Sequence, residues 1–464
     1  VLMSPAMTTA ASGWAAIISP RYLGATVTLC LGVALLAFNG FLVSTALPTA
    51  VDELGGVALL SWATTVFLVF AIMGGAGAAL FKARLGARMA LIAAASVFLL
   101  GSLLAAIAGS MPELLVGRAL QGLGEGIVAA ICYALIPELF PSALVPKVFG
   151  AESVVWALAA FGGPVLSGAL TETLSWRAAF AVNLPIGAIF IGLVLWIVPR
   201  GLREKSSDRL PIIRLLLIGA AIMAVSIGVL LSSPILTALC LLIAGATLFA
   251  VIGRDRTAST PLFPTHAFRF DDVVGAGLWV ILLMPLAQAG SAVFLVYALQ
   301  NIFGFGPTLA GFIGAVMAIT WSGTAILVAN VPETTRPGLI RLGPLLQVAG
   351  LVLLAIAFAV GQLPLVVAAQ ILIGAAYGTS WAYTSQTIME TARPGERDRA
   401  SALLPTIQSA GYGIGAAIAG LIANTPGVAS AQTASELATA LVITFALCAA
   451  LSLPAVAAAR AMTR

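Results

Sequence analysis

Residues 117–126 read GRALQGLGEG, an arginine and a glutamate seven positions apart in a run that is otherwise small and apolar. An ionisable side chain in such a run costs about 2.5–3.5 kcal/mol on membrane-insertion scales, and it normally faces a cavity or a partner. On a helix, Arg118 and Glu125 share a face, with about 10.5 Å between them along the axis. That gap is too long for an easy direct ion pair, but a water, a substrate or a proton could fill it. Arg118 suits binding of an anionic group or control of a neighbouring carboxylate; the plainer alternative is a structural arginine held by backbone carbonyls. Burial disfavours the charged form of a carboxylate, so Glu125 suits reversible protonation; the plainer alternative is a glutamate hydrogen-bonded between helices.

The elements that carry this pair follow from composition. The 464 residues are 61% hydrophobic and 8% charged, with mean hydropathy +1.11. A soluble domain has about 25% charged residues, so lipid must cover much of this chain. The apolar runs are continuous rather than alternating and are long enough for helices to cross a bilayer. Fourteen helices are expected, over 23–47, 58–80, 88–108, 112–137, 148–172, 178–198, 210–231, 233–252, 274–299, 308–330, 339–360, 363–388, 399–422 and 435–458. Of the 22 lysines and arginines, all but Arg118 and Arg177 then fall on one side. The positive-inside rule makes that side cytoplasmic, with both termini there; the basic balance reports topology, and no nucleic-acid partner is expected. Arg177 is a candidate cap for the sixth helix on the opposite side. Cys30, Cys132, Cys240 and Cys448 lie in apolar runs and His266 is the only histidine, so neither a disulfide set nor a metal site is expected. The first residues lack the basic-then-apolar pattern of a cleaved signal peptide.

Sliding the sequence against itself by 252 residues pairs Arg84-x-Gly86 with Arg336-x-Gly338, Gly109 and Pro112 with Gly361 and Pro364, Gly122 and Gly126 with Gly374 and Gly378, and Gly163 and Gly168 with Gly415 and Gly420. An even number of helices separates equivalent positions, so the repeats are parallel, a recurring plan of transporters. The expected organisation is an N-terminal segment 1–22, a six-helix bundle 23–198, a loop 199–209, two inserted helices 210–252, a loop 253–273, a second six-helix bundle 274–458 and a tail 459–464. The repeat sets Gln370 opposite Arg118, Tyr377 opposite Glu125 and Ser291 opposite Asn39, all expected to face one cavity between the bundles. Gln121, Trp156, Trp381 and Gln408 are further cavity candidates, with lipid-facing or packing roles the alternative for the aromatic ones. Gly162, Gly163, Pro164 and Gly168 allow a bend and close approach, as a hinge and seal or as packing alone. Arg84 with Gly86 and Arg336 with Gly338 sit in equivalent loops, either bracing a closed state or acting only as topological charges. Glu152 is expected in an interfacial role rather than as a second proton site, and Glu138, Asp271 and Asp272 in water.

At these residues the chain resembles the major facilitator superfamily, and within it the fourteen-helix drug/proton antiporters. STALPTAVDELGG (44–56) with Trp62, GRALQGLGEG, GGPVLSGAL (162–170) followed by WRAAFAVNLPIG (176–187), and RDRTASTPLFPTHAFR (254–269) carry the likeness. The resemblance implies an all-α membrane protein that rocks between two six-helix halves and exchanges substrate for protons. Two positions depart from the family pattern: Asn39 stands where an acidic residue is usual, and Ala83 where an aspartate precedes R-x-G. Glu125 is the candidate to replace the first of these carboxylates.

No phosphate-binding GxxxxGK[ST] run occurs, so the proton gradient rather than ATP or a cofactor is the expected energy source. No nucleophile–base set marks an enzyme. The expected function is export of amphipathic organic compounds, drug-like or metabolic, by a monomer in the inner membrane, in contact with lipid and protons. The alternatives are export of a single metabolite, siderophore or lipid-like molecule, and an uncoupled facilitator.

Overall fold

Hydrocarbon offers no partner to a backbone N–H or C=O, so a chain this apolar must satisfy those groups within its own segments. In the computed structural model, which describes residues 13–55, 60–200, 211–231, 233–305, 307–424 and 433–464, it does so as helices throughout. They are α1 Leu23–Leu54, α2 Leu60–Leu85, α3 Ala87–Ala106, α4 Met111–Leu139, α5 Val145–Thr173, α6 Trp176–Ile197 (broken at Val182), α7 Ile212–Leu230, α8 Pro234–Asp255, α9 Val273–Phe303, α10 Pro307–Val328, α11 Arg336–Val360, α12 Leu363–Thr391, α13 Arg397–Asn424 and α14 Ala434–Met462. Thirteen carry an apolar stretch long enough to cross a membrane, and α7 carries a shorter one, Ile212–Val225. Several run past their expected ends, α1 to Leu54 and α9 to Phe303, because backbone hydrogen bonding continues after the apolar run stops. Residues 1–12 of the expected N-terminal segment and the loop charges Arg203, Lys205 and Arg209 lie outside the described residues.

The packing follows the repeat. Helix α4 lies against α2 and α3, and α1 against α5 and α6; α12 lies against α10 and α11, and α9 against α13 and α14. The halves meet along two seams, α5 with α10 and α2 with α13, each the counterpart of the other. The α7–α8 hairpin packs on α2 and α13, over one seam only.

The repeated glycines show why these pairs approach so closely. A Cβ on Gly122 would stand 2.1 Å from the Phe67 carbonyl oxygen, and one on Gly126 2.0 Å from that of Ala71, both on α2. In the other half a Cβ on Gly374 would stand 2.3 Å from the Met317 oxygen, and one on Gly378 2.6 Å from that of Trp321, both on α10. Small residues four apart thus seat α4 on α2 and α12 on α10, the membrane form of close helix packing. Gly86 and Gly338 are not equivalent: Gly86 caps α3 at φ +76, whereas Gly338 lies inside α11 with nothing within 4 Å of its Cβ position. Gly126→Ala is therefore expected to cost about 1–3 kcal/mol by overpacking, read as a lowered Tm in detergent. Gly338→Ala, which meets open space, should leave Tm unchanged or raise it.

Candidate functional site

Arg118 and Glu125 sit inside the N-terminal half, 2% and 1% exposed. Arg118 donates from Nε to the Ala63 carbonyl of α2 (3.1 Å) and from Nη1 to Gln121 Oε1 (2.8 Å), and its guanidinium lies 4.0 Å from the centre of the Phe67 ring. Gln121 Nε2 donates to Ser102 Oγ (2.9 Å) and towards Asn39 Oδ1 (3.4 Å). Asn39 Nδ2 donates to Glu125 Oε2 (3.0 Å), and Asn183 Nδ2 donates to Asn39 Oδ1 (3.2 Å). Two amides therefore fill the gap between the charges that a water, substrate or proton could have occupied. The carboxylate on α4 also reaches the α1 position where the resemblance leads one to look for an acid. In the other half Gln370 Nε2 donates to Ser291 Oγ (3.3 Å), a reduced copy of the same α4-to-α1 contact.

A cavity lies elsewhere, at the junction of the halves. Glu152 and Trp156 of α5 line it with Trp321 of α10, Tyr377 and Trp381 of α12 and Gln408 of α13. It is narrow, about 10 Å³, room for roughly one water. Three rings form one wall: the Trp321 and Tyr377 centroids are 4.7 Å apart, Tyr377 and Trp381 5.6 Å, and Trp321 and Trp381 6.0 Å. Glu152 is 2% exposed, and neither of its carboxylate oxygens has a hydrogen-bond partner among the described residues. Of the candidate cavity residues, Tyr377, Trp156, Trp381 and Gln408 meet here, while Arg118, Glu125, Asn39, Gln121 and Gln370 stay within their own halves. Glu152, expected in an interfacial role, is the carboxylate on the cavity wall.

On the basic side of this cavity the halves are tied together. Lys82 Nζ, at the end of α2, bonds both to Glu138 of α4 and to Asp398 of α13, the latter at 2.6 Å. Ser142 bonds to Glu390 and accepts from Gln386 Nε2 (2.8 Å), both on α12, and Ser322 Oγ of α10 donates to the Ser153 carbonyl (2.7 Å). Between described residues, no side-chain hydrogen bond crosses the halves beyond Ser153 towards the opposite face; the contacts there are apolar, among them the rings Phe161 and Phe312, centroids 5.7 Å apart, and Leu68 beside Gly413. The tie is thus Lys82 rather than Arg84, which makes no hydrogen bond or ion pair among the described residues. Two helical positions differ by about 200°, so only one of the two can face α13. Arg336 remains in its own half, bonded to Glu333 at 3.4 Å and set over the Tyr383 ring. Glu138, expected in water, is a partner of Lys82. Asp272 caps α9 through the Gly275 N–H (3.0 Å), and the exposed Asp271 pairs with Arg269.

Gly163 of α5 faces α1 instead of the opposite half. A Cβ on Gly163 would stand 2.6 Å from the Phe41 Cβ, whereas Gly162 has its nearest neighbour at 3.9 Å and Gly168 has none within 4 Å. Ser167 Oγ donates to the Leu42 carbonyl (2.6 Å), fixing the same face, and Pro164 lies inside a continuous helix. At the end opposite the basic face, Arg177 bonds to Glu53 (2.6 Å) and to the Ala108 carbonyl (3.0 Å), joining the ends of α1, α3 and α6. That hydrogen bond holds the Glu53 carboxyl below its usual range.

The profile of the Major Facilitator Superfamily matches residues 29–331. The chain belongs to this superfamily. Its members are small-molecule transporters and not enzymes. The chain is 31% identical over 430 residues to a probable multidrug-efflux transporter of Mycobacterium tuberculosis, covering 89% of this chain and 90% of that one. It is 27% identical over 308 residues to the multidrug transporter protein MdtP of Bacillus subtilis, covering 63% and 54%. The fold matches the human organic anion transporter MFSD10 with TM-score 0.69 at 16% identity, over 95% of this chain and 99% of that one. It matches the proton:xylose symporter XylE with TM-score 0.65 at 17% identity, over 94% of each. The protein is therefore an integral, multi-pass membrane transporter with multidrug-efflux relatives.

Sequence reasoning overlooked Glu152 as a cavity residue, along with Trp321, Lys82 and Asp398. Glu152 had a usable signal: it lies four residues before Trp156, and such positions share a helix face. Trp321 and the Lys82–Asp398 pair depend on which helices meet across the seams, which no local pattern reports. The buried amides give a prediction. Gln121→Leu removes an acceptor from Arg118 and donors from Ser102 and Asn39, and should cost about 1–3 kcal/mol, seen as a lower Tm. Gln408→Leu, at the cavity wall, should change Tm far less.

Proposed function

We propose that this transporter exports amphipathic organic compounds, cationic ones among them, in exchange for protons, by alternating access to the cavity between its halves. The observation that carries this reading is a buried carboxylate without a hydrogen-bond partner among the described residues, Glu152, beside a wall of three aromatic rings at the junction of the halves. Aromatic faces attract cations, and a carboxylate buried in a low-dielectric site needs a compensating charge or a proton. A proton and an organic cation then compete for Glu152, each displacing the other. Such competition couples opposite movements without requiring both to be bound together. The relatives named as multidrug-efflux transporters support an exporter of broad range. The network Arg118–Gln121–Asn39–Glu125 gives the N-terminal half a second carboxylate, which we assign to support of the first-helix region and to exchange of protons with it.

The cycle needs a gate at the basic face, which the charge distribution makes cytoplasmic. In the conformation described, Lys82 ties α2 to α13 there, and the cavity is closed down around its rings. Parting of that tie would open the cavity to the cytoplasm for loading; its restoration would let release occur on the other side. Each chain holds a complete cavity between its own halves, so a monomer suffices.

Two outcomes test this reading. In proteoliposomes with an imposed pH gradient, Glu152→Gln should abolish gradient-driven accumulation of a lipophilic cation while downhill exchange of the same cation continues. Undiminished gradient-driven transport by that variant would refute the assignment, and transport by wild type that ignores the gradient would mark an uncoupled facilitator. For the gate, Asp398→Asn leaves Lys82 with Glu138 alone and weakens the tie by about 1 kcal/mol. The population open at the basic face should rise about fivefold, read as alkylation of a cysteine at position 408, from that face, in a background lacking the native cysteines.

A further inference from the structure

A second cavity, about 330 Å³, lies beneath the α7–α8 hairpin, within the size range of small-ligand sites (roughly 300–1,000 Å³). Ile72 of α2 and Ile407 of α13 form its floor, so it straddles the seam between the halves; Ile222 of α7 and Leu248 of α8 form its roof. Its lining is apolar except for Thr406 and Arg256. The Thr406 hydroxyl is turned to the Ala402 carbonyl of its own helix (3.4 Å). Arg256, at the C-cap of α8 on the basic face, is exposed and makes no hydrogen bond or ion pair among the described residues. Its neighbour Asp255 cannot compensate it: that carboxylate is taken by Arg214 and by the backbone N–H groups of Leu262 (2.8 Å) and Phe263 (2.8 Å).

Helix α8 of the hairpin is also largely open to lipid. Phe249 and Leu242 of α8 are 80% and 71% exposed, and Gly245, on the cavity wall, has nothing within 4 Å of its Cβ position. An apolar hollow of this kind does not hold water, and the apolar material adjacent to it is the bilayer. A free cation at the membrane surface draws anionic headgroups. Arg256 itself lines the space, so one amphiphile can set its tail between the helices and its head at Arg256.

We propose that this cavity holds an acyl chain of an anionic phospholipid from the leaflet at the basic face, with its phosphate on Arg256. Because the floor belongs to both halves, the bound chain touches α2 and α13 together and shifts or leaves when that seam opens. The lipid is thus a built-in modulator of the seam opposite the α5–α10 one, and the site is distinct from the aromatic cavity around Glu152.

The test is native mass spectrometry of the full chain released from mixed micelles containing phosphatidylglycerol and phosphatidylcholine with identical acyl chains. Wild type should retain one phosphatidylglycerol in preference to phosphatidylcholine by about fivefold, the effect of one basic residue at an anionic surface. Arg256→Gln should retain both lipids equally. Gly245→Leu and Ala410→Leu, which fill the cavity from opposite walls, should retain neither, and either variant suffices if the other fails to fold. Added inorganic phosphate should not displace the lipid, because the chain supplies most of the binding. Retention unchanged in a folded cavity-filling variant, no headgroup preference in wild type, or displacement by phosphate alone would each overturn the proposal.

Discussion

A carboxylate enclosed in a membrane protein must find a proton, a cation or a set of hydrogen-bond donors, and Glu152 has none of the last among the described residues. The functional reading depends on that constraint. Glu125, by comparison, shares one oxygen with Asn39 and lies in a chain of amides that ends on Arg118. The two acids therefore occupy different situations in one half: Glu125 is tied through Oε2 to a network, its Oε1 without a partner among the described residues, while Glu152 faces rings from the second half. Only the second stands where relative movement of the halves would change its surroundings.

The fold would permit such movement, because each half is tightly packed and the polar ties across the seams are few. Within a half, glycines on α4 and α12 bring backbones into direct contact with α2 and α10, and the carbonyls they meet leave no room even for a methyl group. Across the seams the polar contacts are few and concentrate at the basic face, around Lys82, Ser142 and Ser322. Tight bundles with a localised tie can rotate as bodies, because packed cores have discrete arrangements and do not deform continuously. The hairpin α7–α8 rests on one seam and leaves the other uncovered by it, an asymmetry imposed on an otherwise twofold plan.

Much of this architecture was readable from residue types. Apolar run length located the fourteen helices. The repeat of Gly122 and Gly126 at Gly374 and Gly378 anticipated the equivalent contacts, because backbone-to-backbone packing leaves a residue type that nothing else can replace. The site was less readable. Arg118 and Glu125 stand out in sequence because charge is rare in these runs, yet rarity does not tell a network within one half from a wall between two. Trp156, Tyr377, Trp381 and Gln408 were visible as cavity candidates, but their convergence on Glu152 depends on how α5 meets α10, α12 and α13, more than a hundred residues further along the chain. The residue that ties the halves was missed for a related reason: the R-x-G pattern draws the eye to Arg84, while the helix rotation that decides the contact favours Lys82.

Competition of a proton and an organic cation for one carboxylate has a direct signature at equilibrium, apart from any transport assay. Purified protein in weakly buffered detergent can be titrated with tetraphenylphosphonium while released protons are counted. The account predicts about one proton released per cation bound by the wild type, and binding without release by Glu152→Gln. Binding that releases no proton from the wild type, or release that persists unchanged when Glu152 is replaced, would contradict it.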